Sequence, residues 1–174
     1  IINYQAANGK NVLLAKDKLN MEILMNKLNV FSRLSIFYSL LGMALLLVFF
    51  LNVFIPSNRF TGIYTILMVL LSLCFLLHAV GLGLRWYVSG RAPWSNGYES
   101  MIYIAFTTML SGFLFARRSA GGLAAASILA ATILMVAGLS WMDPEITPLV
   151  PVLKSYWLTI HVSMEAGSYG FLTL

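Results

Sequence analysis

His161 is the residue whose type and spacing are best suited to chemistry. Met164, Glu165 and Ser168 follow it at offsets of three, four and seven. On a helix, an imidazole, a carboxylate and a hydroxyl would therefore share one face. Ionisable groups at membrane depth are costly and usually mark a functional path or a bound cofactor. Two readings stand side by side: a ligand-grade imidazole, or an interfacial histidine hydrogen-bonded to a neighbour.

His78 is the only other histidine. Cys74, His78, Gly81 and Arg85 are spaced by four, three and four residues, so they fall on one helical face. A neutral imidazole can coordinate iron through one nitrogen while the other donates to a carbonyl or hydroxyl. A haem between helices would use such a residue, and Arg85, two turns further on, could meet a propionate. The competing reading is a hydrogen-bonded core histidine. Cys74 reads as a packing residue rather than a ligand.

Between two long apolar runs lies the polar stretch RWYVSGRAPWSNGYES, residues 85–100. A carboxylate at the membrane edge needs a partner, and Arg85 and Arg91 are the cations nearest to Glu99 in sequence. One reading is a loop pinned by ion pairs as the rim of a site. The other is a solvated interfacial loop with an ordinary aromatic belt of Trp86, Tyr87, Trp94 and Tyr98. Tryptophans near a histidine also suit a flat apolar ligand such as a porphyrin. No dinucleotide-binding glycine motif, Walker motif, HExxH or GxSxG elbow is present, which argues against phosphate transfer and hydrolase chemistry.

These residues sit in an oily chain. Of 174 residues 60% are hydrophobic and 10% charged, with a mean hydropathy of +0.85. A soluble domain carries about 25% charged residues, so an integral membrane protein is expected. Apolar runs of about 18–20 residues suit spanning helices, and the alternation of barrel strands is missing. The net charge of +5 is scattered over flanking lysines and arginines rather than gathered on one soluble face, which fits headgroup anchoring and not nucleic-acid binding.

The expected fold is all-α: a polytopic transmembrane helix bundle with four complete spans, the start of a fifth and an amphipathic amino-terminal helix. The division is a juxtamembrane segment over residues 1–33 and a transmembrane domain over 34–174. Within the first, residues 10–34 place apolar positions at mixed three- and four-residue spacing among lysines. That pattern suits a helix on the membrane surface or packed beside the first span. The spans are expected at about 34–55, 61–84, 98–115, 121–141 and from 156 onward. Pro56 ends the first, and the small residues of the fourth predict close packing in the bundle interior. Prolines 144, 148 and 151 forbid regular helix before the fifth. The chain opens at Ile1 and stops at Leu174 inside an apolar run, so it is expected to be part of something longer. The amino-terminal segment and the second and fourth loops hold eight of the eleven Lys and Arg. Five of those eight lie in the amino-terminal segment, and without them the count is three against three.

Two motifs then carry a resemblance. Arg91, Pro93, Ser95, Asn96, Tyr98, Glu99 and Ser100 match an R-x-P-x-S-N-x-Y-E-S connector. Leu153, Lys154, Ser155, Trp157, Leu158, Ile160, His161 and Val162 match an L-K-S-x-W-L-x-I-H-V segment two spans later. In this order they resemble the CcsA/ResC family of system II cytochrome c biogenesis proteins, over roughly residues 70–174. The amino-terminal third resembles the junction with a ResB/CcsB-like partner or fused domain.

The resemblance implies a multi-pass protein of the bacterial inner (cytoplasmic) membrane, with loops 85–97 and 142–156 on the outer side. It implies that haem b is accepted, carried to that side and presented to the CXXCH motif of an apocytochrome c. His161 would be the axial ligand to the haem iron, and His78 lies where family members often carry a histidine. Arg85, Arg91, Glu99 and Trp94 would form the rim of the site, and no catalytic side chain is assigned. A full-length relative would form part of a cytochrome c synthase. The family's Trp-rich haem-holding segment and two further histidines would follow the fifth span. The alternatives are a solute or ion transporter whose path is lined by His78, Arg85, Glu99 and His161, and an electron-transferring b-type haem protein.

Overall fold

The computed structural model describes residues 16–55, 58–116, 119–139, 142, 144–146 and 155–173. All elements among the described residues are helical: α1 Lys16–Leu28, α2 Val30–Phe54, α3 Asn58–Ser89, α4 Gly97–Ser111, α5 Ala120–Ala137 and α6 Tyr156–Leu172. A π-helical turn, Gly112–Ala116, prolongs α4. The all-α membrane bundle expected from composition is what forms. Residues 1–15, the prolines at 56, 148 and 151, Arg117 and Arg118 lie outside the described residues.

Three helices are long and apolar enough to cross a bilayer: Asp17–Phe54, Phe60–Ser89 and Ala120–Ala137. The expected third span corresponds to the 15 residues of α4 plus its five-residue π turn, and the start of the fifth to the 17 residues of α6. The outward faces of α2 and α3 carry apolar side chains such as Ile36, Leu40, Leu47, Ile66, Leu73 and Val80, as lipid contact requires.

Some boundaries differ from expectation. Helix α2 starts at Val30, four residues before the expected position 34, after a break at Asn29 in the left-handed region (φ 43°, ψ 52°). Asn tolerates that region better than most residues, and its Oδ1 accepts a hydrogen bond from Ser32 Oγ (3.0 Å). Helix α3 runs on to Ser89, so residues 85–89 are helix rather than loop. It ends where Gly90 adopts φ +67°, a conformation glycine takes at little cost. At about 1.5 Å per residue, the 32 residues of α3 measure about 48 Å, well beyond a hydrocarbon core of about 30 Å. Its last turns therefore reach the interfacial region, and that is where the polar residues cluster. The 85–100 connector shrinks to residues 90–96.

Side-chain contacts set the helix directions. Tyr38 meets His78 and Gly81 faces Phe31, so α2 and α3 are antiparallel. His78 meets Ile102 and Phe75 stacks on Phe106, so α4 reverses again. Helix α5 returns against α2: Ser127 Oγ donates to the Tyr38 carbonyl (2.8 Å) and Ser35 Oγ to the Ala131 carbonyl (2.9 Å). The small residues of α5 make this possible. Ala124, Ala126, Ser127, Ala130 and Ala131 are buried, and a Cβ on Gly42 would press into Ile128. Close approach of this kind holds helices together in lipid, where no hydrophobic gain is available. Helix α6 then lies parallel to α4, with Gly167 beside Tyr103 and Gly170 beside Thr107. Consequently Asn29, the 90–96 connector, residues 144–146 and the start of α6 gather at one end of the bundle.

Candidate functional site

Glu99 is the hub of that end. Its side chain is fully buried, yet both oxygens are occupied: Oε1 accepts from Arg85 Nε (3.1 Å), and Oε2 from Arg91 Nη1 (2.9 Å) and the Ser95 backbone N–H (3.0 Å). Its own N–H donates to Asn96 Oδ1 (2.7 Å), so Asn96 caps α4. The local sequence explains the fold. Gly90 stops α3, Ser89 Oγ donates to the Arg91 carbonyl (2.9 Å), and the Asn96 cap starts α4 with Glu99 in its first turn.

Arg85 is the second anchor. Its Nη2 donates to the Pro144 carbonyl (2.9 Å), and its guanidinium lies 5.0 Å from the Tyr98 ring centre. The guanidinium thus ties the end of α3 to α4 and to the segment that precedes α6. The expected pinning of the connector by Arg85, Arg91 and Glu99 is the observed arrangement. With Nε on Glu99 and Nη2 on Pro144, Arg85 braces this end of the bundle.

Trp94 is half-buried between the rings of Trp86 (5.6 Å) and Tyr103 (4.9 Å). Its indole N–H donates to the Thr159 carbonyl in the second turn of α6 (3.1 Å). Trp86 and Tyr87 face outward.

The two histidines occupy opposite environments. His78 is fully buried among Phe31, Tyr38 and Phe106. Its Nε2 lies 3.1 Å from the Ile102 carbonyl and its Nδ1 3.4 Å from the Tyr38 hydroxyl. A carbonyl can only accept, so Nε2 carries the proton and Nδ1 accepts from Tyr38. Both nitrogens are thus engaged, and the ring is unexposed. This geometry fits a core histidine keying α2, α3 and α4 together.

His161 is 74% exposed, with Nε2 at 3.7 Å from Glu165 Oε2, beyond hydrogen-bonding distance. Glu165 also accepts from Tyr169 Oη (3.3 Å). Trp157 (77% exposed), Met164 (70%) and Leu172 (80%) continue the same face, while Ala166, Gly167 and Gly170 form the buried face against α4. The imidazole is thus open to a ligand, between an indole and a thioether. That donor set fits one axial ligand of a haem flanked by apolar side chains. Helical spacing alone foretold the alignment of His161, Met164, Glu165 and Ser168. Tyr38, Thr159 and Pro144 carried no such signal, because two of them contribute backbone carbonyls and Tyr38 meets His78 only after the helices pair. Among the described residues, no group of three or more His, Cys, Asp or Glu could hold a metal ion by itself.

Residues 94–174, from Trp94 through the whole of α6, match the family described as cytochrome C assembly protein. The chain is similar to protein NrfI of Wolinella succinogenes, with 45% identity over 168 residues, 97% of this chain and 19% of that protein. It is also similar to the cytochrome c biogenesis protein CcsA of Prochlorococcus marinus, with 37% identity over 108 residues, 60% of this chain and 34% of the relative. A Synechococcus CcsA is 34% identical over 139 residues, 78% of this chain and 44% of its own length. The chain thus spans about a fifth to under a half of the relatives it matches. The second motif and the first from Ser95 onward lie inside the matched region, and with the apolar helices in place this chain is a multi-pass membrane protein whose residues 94–174 match the cytochrome c assembly family and whose relatives are of the CcsA type.

Proposed function

We propose that the protein handles haem b for cytochrome c maturation, with His161 as an axial ligand at the outer face of the bacterial cytoplasmic membrane. One observation carries the reading: the sole exposed histidine among the described residues sits, with a carboxylate, on the side of α6 that no other helix among the described residues covers. A His–Glu pair facing lipid would be costly, so the face calls for a partner that meets an imidazole. Haem would supply the iron that His161 holds and the vinyl groups to which the thiols of an apocytochrome CXXCH motif are joined.

The other residues position that ligand. Glu99, Arg85 and Arg91 lock the end of α3 to the start of α4 and to Pro144. Catalysis would then be largely the holding of two reactants in register. The loop expected at 85–97, shortened here to 90–96, and the loop at 142–156 would face the outer side, and residues 1–33 would form the junction with a ResB/CcsB-like partner or domain. Haem-holding residues from further sequence would complete the site. A solute path lined by His78, Arg85, Glu99 and His161 finds less support: the first three are consumed in buried hydrogen bonds, and His161 points away from them.

The test is maturation of a reporter c-type cytochrome in cells that depend on the full-length protein. His161→Ala should abolish covalently haem-stained reporter at unchanged membrane levels of the protein. Wild-type staining would count against the proposal.

A further inference from the structure

Helix α6 is held on α4 at two places of different character. At its far end the contact is smooth: Gly167 and Gly170 ride on Tyr103, Thr107 and Thr108, with long hydrogen bonds from Ser111 to the Gly170 carbonyl and between Thr108 and Thr173 (both 3.4 Å). Small residues let the helices approach but leave tilt and sliding weakly specified. At the near end, Trp94 Nε1 donates to the Thr159 carbonyl (3.1 Å), two residues before His161. Beside that bond lies a groove of about 200 Å³ lined by Trp94, Ser100, Leu158, Thr159 and Val162. Side-chain packing there is incomplete, so the hydrogen bond sets the spacing.

The indole is itself immobilised. Trp86 and Tyr103 flank its ring, the Trp94 carbonyl accepts from Ser100 Oγ (3.2 Å), and the next N–H, of Ser95, is held by Glu99. Trp94, expected on the rim of the site, spends its N–H on the helix that carries the histidine.

We infer that Trp94 is the positioning residue for His161: its indole N–H, fixed by the Glu99 clamp, sets the pose of α6 through the Thr159 carbonyl. Gly170 lies nine positions after His161, a lever of about 13 Å along the axis. A tilt of about 10° about the glycine contact would carry His161 about 2 Å, against a tolerance of about 0.5 Å for a functional constellation. This inference rests on the assignment of His161 as a haem ligand.

The test uses the full-length protein purified in detergent. Trp94→Phe keeps a flat ring and deletes the donor, whereas Trp94→Gln deletes the ring and keeps an N–H of similar reach. Positioning predicts about tenfold weaker haem retention and an altered axial-ligand spectrum in Trp94→Phe, with recovery toward wild type in Trp94→Gln. A stacking platform predicts the reverse order, and that order, equal losses, or wild-type behaviour in both would overturn the inference. A haem-independent readout guards against misfolding: nitroxides at Tyr87→Cys and Ser168→Cys, with Cys74 and every other native cysteine of the full-length protein replaced, report the pose of α6. Their distance distribution should broaden or shift in Trp94→Phe, and an unchanged distribution overturns the inference. If His161→Ala leaves the haem spectrum untouched, the ligand assignment fails instead, while the nitroxide distances still judge the Trp94 tie.

Discussion

Replacing Glu99 by glutamine removes one charge from a cluster that has little access to water. The carboxylate accepts three hydrogen bonds, from Arg85, Arg91 and the Ser95 N–H. Glutamine keeps one acceptor oxygen and turns the other into an N–H₂ that faces a donor. The two arginines respond differently. Arg91 is 15% exposed and can turn toward solvent, whereas Arg85 is 3% exposed and cannot. Stranding one partner of a buried ion pair costs about 3–5 kcal/mol. Arg85 retains the Pro144 carbonyl and the Tyr98 ring, so the lower end, about 3 kcal/mol, is expected. Removing both charges is milder, because an apolar pair needs no desolvation of ions. The double substitution Arg85→Met with Glu99→Met should therefore be less destabilised than Glu99→Gln alone. Denaturant unfolding in mixed micelles measures both. A Glu99→Gln protein within about 0.5 kcal/mol of wild type, or a double variant as unstable as the summed singles, would refute the buried clamp.

Three further outcomes follow from individual contacts. Asn96→Ala removes the acceptor for the Glu99 N–H and should cost about 1 kcal/mol in the same assay; no loss would argue against the cap. His78→Phe leaves the buried Tyr38 hydroxyl without its acceptor and should destabilise by about 1–3 kcal/mol while the haem spectrum of the full-length protein stays as in wild type. A changed axial-ligand signature in His78→Phe would restore it as a ligand. Ser155→Cys, exposed at the start of α6, should react with a membrane-impermeant thiol reagent added outside intact cells when Cys74 and every other native cysteine of the full-length protein have been replaced. Protection there with labelling only after lysis would reverse the proposed orientation.

Helix content was the most legible property, because 60% hydrophobic residues with 10% charge leave few other folds open. The small-residue character of α5 correctly marked bundle interior, and the start of α6 at Tyr156 was visible from the prolines before it. The end of α3 was not, because a polar run after an apolar one looks like a loop. Here Arg85 and Val88 are buried as one helical face, and only Gly90 breaks the chain. Similarly, the pairing of Glu99 with Arg85 and Arg91 followed from charge alone. The roles of His78 and Trp94 did not, since each depends on a carbonyl from a helix distant in sequence, Ile102 for one and Thr159 for the other. Residue type foretells that a buried polar group needs a partner, but packing chooses it.

The visible spectrum of the full-length protein, purified as wild type and as His161→Ala, bears most directly on the assignment of His161. The exposed imidazole on the uncovered face of α6 predicts that the alanine variant loses haem or shows an altered axial-ligand signature, at equal protein yield. Identical haem content and identical ligand bands in the two proteins would contradict it.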